Sequence, residues 1–122
     1  NSMSTTTKML KLASEIAVSD ISKKNFYLGC VILRTDGAVV TAHNGKTEKP
    51  HPMKHAEARA LKKADYGCTM YVARIAQGDW ANARPCKKCE LLIRNRGVKK
   101  VVYTISPNEY GIWYPMKEKL SK

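Results

Sequence analysis

The sequence predicts an α/β fold with a mixed sheet of about five strands, and three observations predict it. An amphipathic segment opens the chain. Two apolar runs of strand length follow, separated by a turn. Farther on, strand-like and helix-like segments alternate, the pattern of parallel neighbours joined by a crossover.

Residues 8–21, KMLKLASEIAVSDI, carry Met9, Leu12, Ile16 and Ala17 at helical spacing with Lys11, Ser14 and Glu15 between them, which predicts an amphipathic first helix. After the polar SKKN come FYLGCVIL and VVTA, two strands around the turn signal Asp36-Gly37. HNGKTEKPHPMK is loop by its Gly, Asn and Pro content, and a second helix is expected from about Lys54 to near Gly67. CTMYVARI is a third strand and AQGDWANAR a loop. Pro85 suits the first turn of a third helix, PCKKCELLIRNR, which Gly97 closes. VKKVVYTI is the fourth strand and YGIWYP the fifth. The four-residue SPNE between them is too short for a parallel crossover, so strands four and five are expected to pair antiparallel.

At 122 residues the chain fits one compact domain, taken as residues 3–122 with Asn1 and Ser2 set aside as a possible cloning remnant. Hydrophobic residues at 43% and charged ones at 26% exclude fibrous and wholly disordered classes. No apolar run is long enough to cross a bilayer and NSMSTTTKML lacks a secretory core, so a cytoplasmic protein without membrane contact is expected. Four cysteines without a signal peptide, two of them in a C-x-x-C, favour metal or redox chemistry over disulfides. Lys plus Arg number 22 against 10 Asp plus Glu, and the net charge of +12 should attract nucleotides, nucleic acids or acidic lipid. A merely solvated basic surface is the plain alternative.

Cys86 and Cys89 stand three apart on one helical face, which Leu92 and Ile93 continue toward the core. In the first turn, the positive end of the helix favours thiolate over thiol. His55 opens another helix two residues before Glu57. Three such ligands would leave a tetrahedral zinc with one open position, the arrangement of a catalytic rather than a structural site. Glu57 could then take a proton from water and deliver it to a leaving group; alone, it would be read as a first-turn acid on the helix dipole. Cys30 and Cys68 sit in apolar strand contexts and read as buried reduced thiols, and His43 and His51 as groups of the loop before the helix.

His55-Ala56-Glu57, then 27 residues, then Pro85-Cys86-Lys87-Lys88-Cys89 resembles the zinc-binding signature of the cytidine and deoxycytidylate deaminase superfamily. The order of elements resembles that family over nearly the whole chain. The resemblance implies a three-layer α/β/α fold, one zinc ion per chain on His55, Cys86 and Cys89, and proton transfer by Glu57. It implies hydrolytic attack at the amine-bearing ring carbon with loss of ammonia, backbone N–H groups of Ala56 and Cys86 in the pocket, and a sugar contact from Asn44. A turn role beside Gly45 is the simpler account of Asn44.

The motif gives the reaction and not the substrate. Compact size, and an antiparallel pairing of strands four and five, would resemble the free-nucleoside branch. Lys46, Lys49 and Lys54, with Arg84, Lys87 and Lys88, could instead bring cations to the pocket mouth for a phosphate or a polymer, and Trp80 or Tyr110 could stack a base. Trp80 could equally fill a subunit interface. No second His and Cys cluster supports the regulated deoxycytidylate pattern. The expectation is a zinc-dependent deaminase of cytosine in a free nucleoside or nucleotide, working as a homo-oligomer, with Glu57 catalytic and Asn44, Ala56, Arg84 and Trp80 binding substrate. The alternatives are a deaminase of cytosine or adenosine in single-stranded nucleic acid or tRNA, and a non-catalytic zinc-stabilised binding module.

Overall fold

The computed structural model describes residues 4–19, 27–44 and 52–117, with the side chains of residues 52–55 outside the described set. Among the described residues three helices, α1 (Thr5–Ala17), α2 (Pro52–Leu61) and α3 (Lys87–Asn95), pack on six strands. The strands are β1 (Tyr27–Leu33), β2 (Val39–His43), β3 (Thr69–Ala76), β4 (Asp79–Ala81), β5 (Lys100–Ser106) and β6 (Glu109–Trp113). They form one mixed sheet in the order β2-β1-β3-β5-β6, with β4 added to the end of β3. β3 and β5 are parallel and bracket α3, whereas β1 pairs antiparallel with both β2 and β3, and β5 with β6. Among the described residues no helix is long and apolar enough to cross a membrane.

Two apolar clusters define the layers. On one face Leu28, Cys30, Ile32, Met70, Val72, Val101 and Trp113 pack under Ala56 and Ala60 of α2 and Ile93 of α3. On the other, Val31, Tyr71, Ala73 and Val102 pack under Leu10 and Ala13 of α1. Residues alternate between the faces along each strand, so β1, covered on both, is a nearly continuous apolar run. α1 lies close on β1 because position 29 is glycine: a Cβ there would stand 2.0 Å from the Ala13 carbonyl oxygen and 2.7 Å from the Ala17 nitrogen.

Several boundaries differ from the sequence reading. α1 starts at Thr5 rather than residue 8, because Ser4 Oγ accepts the Thr7 N–H at 3.2 Å and caps it. Its inward line is Leu10, Ala13 and Ala17, with Met9, Leu12 and Ile16 flanking. α2 ends at Leu61, well before Gly67, since the Arg96 side chain occupies the Leu61 carbonyl from Nε at 2.9 Å. α3 starts at Lys87 with Cys86 as N-cap in extended conformation, which leaves Pro85 outside the helix. Leu92 is 37% exposed, so Cys89 and Ile93 alone of that predicted face turn inward.

The loop AQGDWANAR contains β4. Gln77 and Gly78 both have positive φ, 53° and 81°, as a two-residue type I′ hairpin requires, and β4 returns along Arg74–Ala76. A second two-residue turn, Pro107-Asn108 with Asn108 at φ 64°, joins β5 to β6.

Candidate active site

Cys86 caps α3 through its backbone only. Its carbonyl accepts the Glu90 N–H at 2.8 Å and its side chain makes no capping bond, so the sulfur is left available. One turn on, Cys89 is 1% exposed, and the two Sγ atoms stand 3.5 Å apart as free thiols. Two thiolates bound to one tetrahedral zinc at about 2.3 Å would be separated by about 3.8 Å, so the pair is spaced for a shared ion.

Glu57 of α2 is 1% exposed, and neither carboxylate oxygen has a hydrogen-bond partner among the described residues. A carboxylate buried without a partner is costly and is retained where a ligand or a reaction uses it. Burial pushes its pKa up to about 7, with the neighbouring Cys89 thiol pulling partly back. The Cys89 thiol is itself pushed far above its ordinary range, by burial first and then by Glu57. Burial and the Glu57 carboxyl thus oppose the pull of the helix end on the Cys89 proton, and a divalent cation is the charge that would favour the thiolate.

His55 lies in α2 two residues before Glu57, but its side chain falls outside the described set, so the described donors number two thiols and one carboxyl. Thiols at a shared-ion spacing beside an orphaned carboxyl fit a zinc centre with a proton acceptor, and His55 is the sequence neighbour that would complete three protein ligands.

The remaining candidates separate. Arg84, two residues before Cys86, is held at this end of α3: Nη1 donates to the Tyr103 hydroxyl at 2.7 Å, the guanidinium lies 5.4 Å from that ring's centroid, and Nη2 stands 3.7 Å from Glu90 Oε2. Asn44 is 2% exposed and its Oδ1 accepts the Leu28 N–H at 3.0 Å, so its carbonyl oxygen ties the end of β2 to β1. Ala56 is buried within α2, between His55 and Glu57.

Trp80 is not with them. On β4 it packs against the α1-side cluster and its Nε1 donates to Ser14 Oγ at 2.8 Å, which satisfies the indole on the sheet face opposite α2 and α3. Tyr110 lies on that same face, across from Thr104. His43 Nδ1 is 2.9 Å from the Asn44 carbonyl, Lys87 and Lys88 are exposed, and His51, Lys46, Lys49 and the Lys54 side chain lie outside the described residues. Cys30 and Cys68 are buried free thiols. Sequence reasoning missed Tyr103, which orients Arg84, and Arg96, which joins the end of α2 to the end of α3. Both contacts span long stretches of chain and leave no local pattern.

Residues 3–105 match the family described as the cytidine and deoxycytidylate deaminase zinc-binding region. A tRNA-specific adenosine deaminase of Aquifex aeolicus (strain VF5) is 25% identical over 104 residues, 84% of this chain and 67% of that one. The crystal structure of a cytidine deaminase from Burkholderia pseudomallei superposes with a TM-score of 0.62 at 21% identity, over 93% of this chain and 94% of that one. Acinetobacter baumannii RibD superposes at 0.57 with 25% identity over 80% of this chain, which spans 27% of that longer one. A sheet layered between α1 and the pair α2 and α3, a thiol pair at the head of α3, and a match over most of its length place this chain in the cytidine and deoxycytidylate deaminase family, whose zinc-binding members are hydrolytic deaminases.

Proposed function

We propose that this chain converts cytosine to uracil in a free nucleoside or nucleotide, with His55, Cys86 and Cys89 holding zinc and Glu57 moving the proton. The observation that carries the reading is the buried Glu57 carboxyl, with no hydrogen-bond partner among the described residues, beside the Cys86 and Cys89 pair. Zinc, when bound, supplies the Lewis acidity that makes water a nucleophile near neutral pH. Glu57 accepts a proton from that water at one carboxylate oxygen and returns it to the departing amine, so that ammonia leaves and a carbonyl remains. The walls of α2, α3 and the sheet around Glu57 exclude bulk water from the transfer. Arg84, half-exposed and held by Tyr103 and Glu90 two residues before Cys86, is among the described residues a cation placed to meet an anionic group on the substrate.

The choice of a free substrate is supported by the antiparallel β5 and β6, which resemble the free-nucleoside branch. A second reading, deamination of tRNA or of another single strand, is favoured by the likeness to the Aquifex tRNA-specific adenosine deaminase and by the net charge of +12.

Ammonia release from cytidine, deoxycytidine, CMP, dCMP, and cytosine- and adenosine-containing single strands decides between them. Turnover of a small cytosine substrate, little altered by salt and reduced roughly 10²–10⁴-fold in Glu57→Ala with zinc content unchanged, is the expected result. Turnover of a strand alone would overturn the substrate assignment. An active Glu57→Ala would overturn the mechanism.

A further inference from the structure

β6 is an edge strand, and its two faces are treated differently. Trp113 turns into the α2 and α3 layer and is 5% exposed. Tyr110 and Ile112 alternate with it and face the other way, at 43% and 41% exposure, and Tyr114, just past the end of the strand, is 40% exposed. The side of the sheet that Tyr110 and Ile112 face is the α1 side, since Ile112 stands opposite Val102, which packs beneath α1. α1 covers β1 and β3 and barely reaches β5, and among the described residues no element packs over this end of the sheet. Strand geometry sets Tyr110 and Ile112 about 7 Å apart, and Tyr114 follows two residues on. Lys100 belongs to the same face, one residue before Val101, which pairs with Trp113, and Lys117 Nζ lies 5.0 Å from the Tyr114 ring centroid.

Two magnitudes choose the occupant. Three side chains about two-fifths exposed offer roughly 250 Å² of contact, against about 800 Å² per partner in a standard protein interface, so the row is small for a second copy of the chain. The net charge of +12 also opposes pairing of like chains and favours a polyanion. Flat tyrosine rings in a row, bordered by lysines, suit unpaired bases stacked on the rings with phosphates on the cations.

We propose that Tyr110, Ile112 and Tyr114, with Lys100 and Lys117, form a docking surface for single-stranded nucleic acid on the sheet face opposite the deaminase site. This surface binds whether or not the strand contains a deaminable base.

The test is fluorescence anisotropy of the full, zinc-loaded chain with a labelled 15-residue oligothymidylate, which has no base to deaminate. Binding should weaken roughly tenfold for each of Tyr110→Ala and Tyr114→Ala, while zinc content and ammonia release from the small substrate stay at wild-type levels. Lys100→Glu, which leaves the rings intact, should weaken binding and flatten its salt dependence. An excess of CMP should not displace the strand. No binding by the wild-type chain, or binding indifferent to both tyrosines, overturns the proposal. So does a wild-type dimer that the tyrosine substitutions convert to monomer without loss of strand binding, which would assign the row to a second copy.

Discussion

The two faces of the sheet handle buried polar groups in opposite ways. Under α1 they are answered: Trp80 Nε1 donates to Ser14, Ser14 Oγ to the Leu10 carbonyl at 2.8 Å, and Thr104 Oγ1 to the Ala81 carbonyl at 2.7 Å. Under α2 and α3, Glu57 is buried with neither oxygen hydrogen-bonded among the described residues. The first face is organised for stability. The second carries an uncompensated cost at the one position where chemistry would use it.

Substitutions on each face should therefore register in different measurements. Cys89→Ser should remove bound zinc and lower ammonia release on the order of a thousandfold or more. With a chelator present, its melting temperature should stay close to that of the wild type; a large fall would mean that the site face also carries stability. Gly29→Ala is the counterpart under α1. Its Cβ would meet the α1 backbone at Ala13 and Ala17, so the helix must lift, at about 3 kcal/mol in a denaturant titration. Zinc content and turnover per folded molecule should hold, and their loss would show that the two faces are coupled.

Trp80→Phe removes one donor and should cost about 1 kcal/mol with no change in KM. A raised KM would return Trp80 to the substrate and blur the division. The smallest effect lies away from both layers, where the Thr35 amide donates to Asp65 Oδ2 at 3.1 Å and the Thr35 hydroxyl bonds the same carboxylate. The Thr35 hydroxyl holds the Asp65 carboxyl below its usual range. A depressed carboxyl contributes stability that is present above the unfolded value near 3.9 and lost as pH falls through the folded value. Melting temperatures between about pH 5 and pH 3 should drop slightly less for Asp65→Asn than for the wild type, and equal drops would remove Asp65 from the account.

Much of this was legible in the sequence where the signal was local. The spacing of Cys86 and Cys89 put both at the head of one helix, and the apolar run FYLGCVIL gave the first strand, found at Tyr27–Leu33. What was not legible depended on contacts between distant residues. β4 hides in three residues behind a Gln77-Gly78 turn that lacks the usual asparagine. α2 stops where Arg96 reaches Leu61, not at the next glycine. Trp80 looked like a loop residue free to stack a base because its partner, Ser14, lies 66 residues away. Glu57 could be singled out by its neighbours, whereas its burial needed the folded surroundings.

The bond from Arg96 to the Leu61 carbonyl fastens the two site-bearing helices at their C-terminal ends, while His55 and the cysteines belong to their opposite halves. The pair behaves as a lever with its pivot far from the load. His55 lies six residues, about 9 Å, along α2 from Leu61, so a tilt of about 5° at the pivot displaces it by roughly 0.8 Å. That is more than a zinc coordination sphere or a proton transfer tolerates. A single guanidinium on the outer surface thus joins the reaction centre's two helices at the ends farthest from the thiol pair.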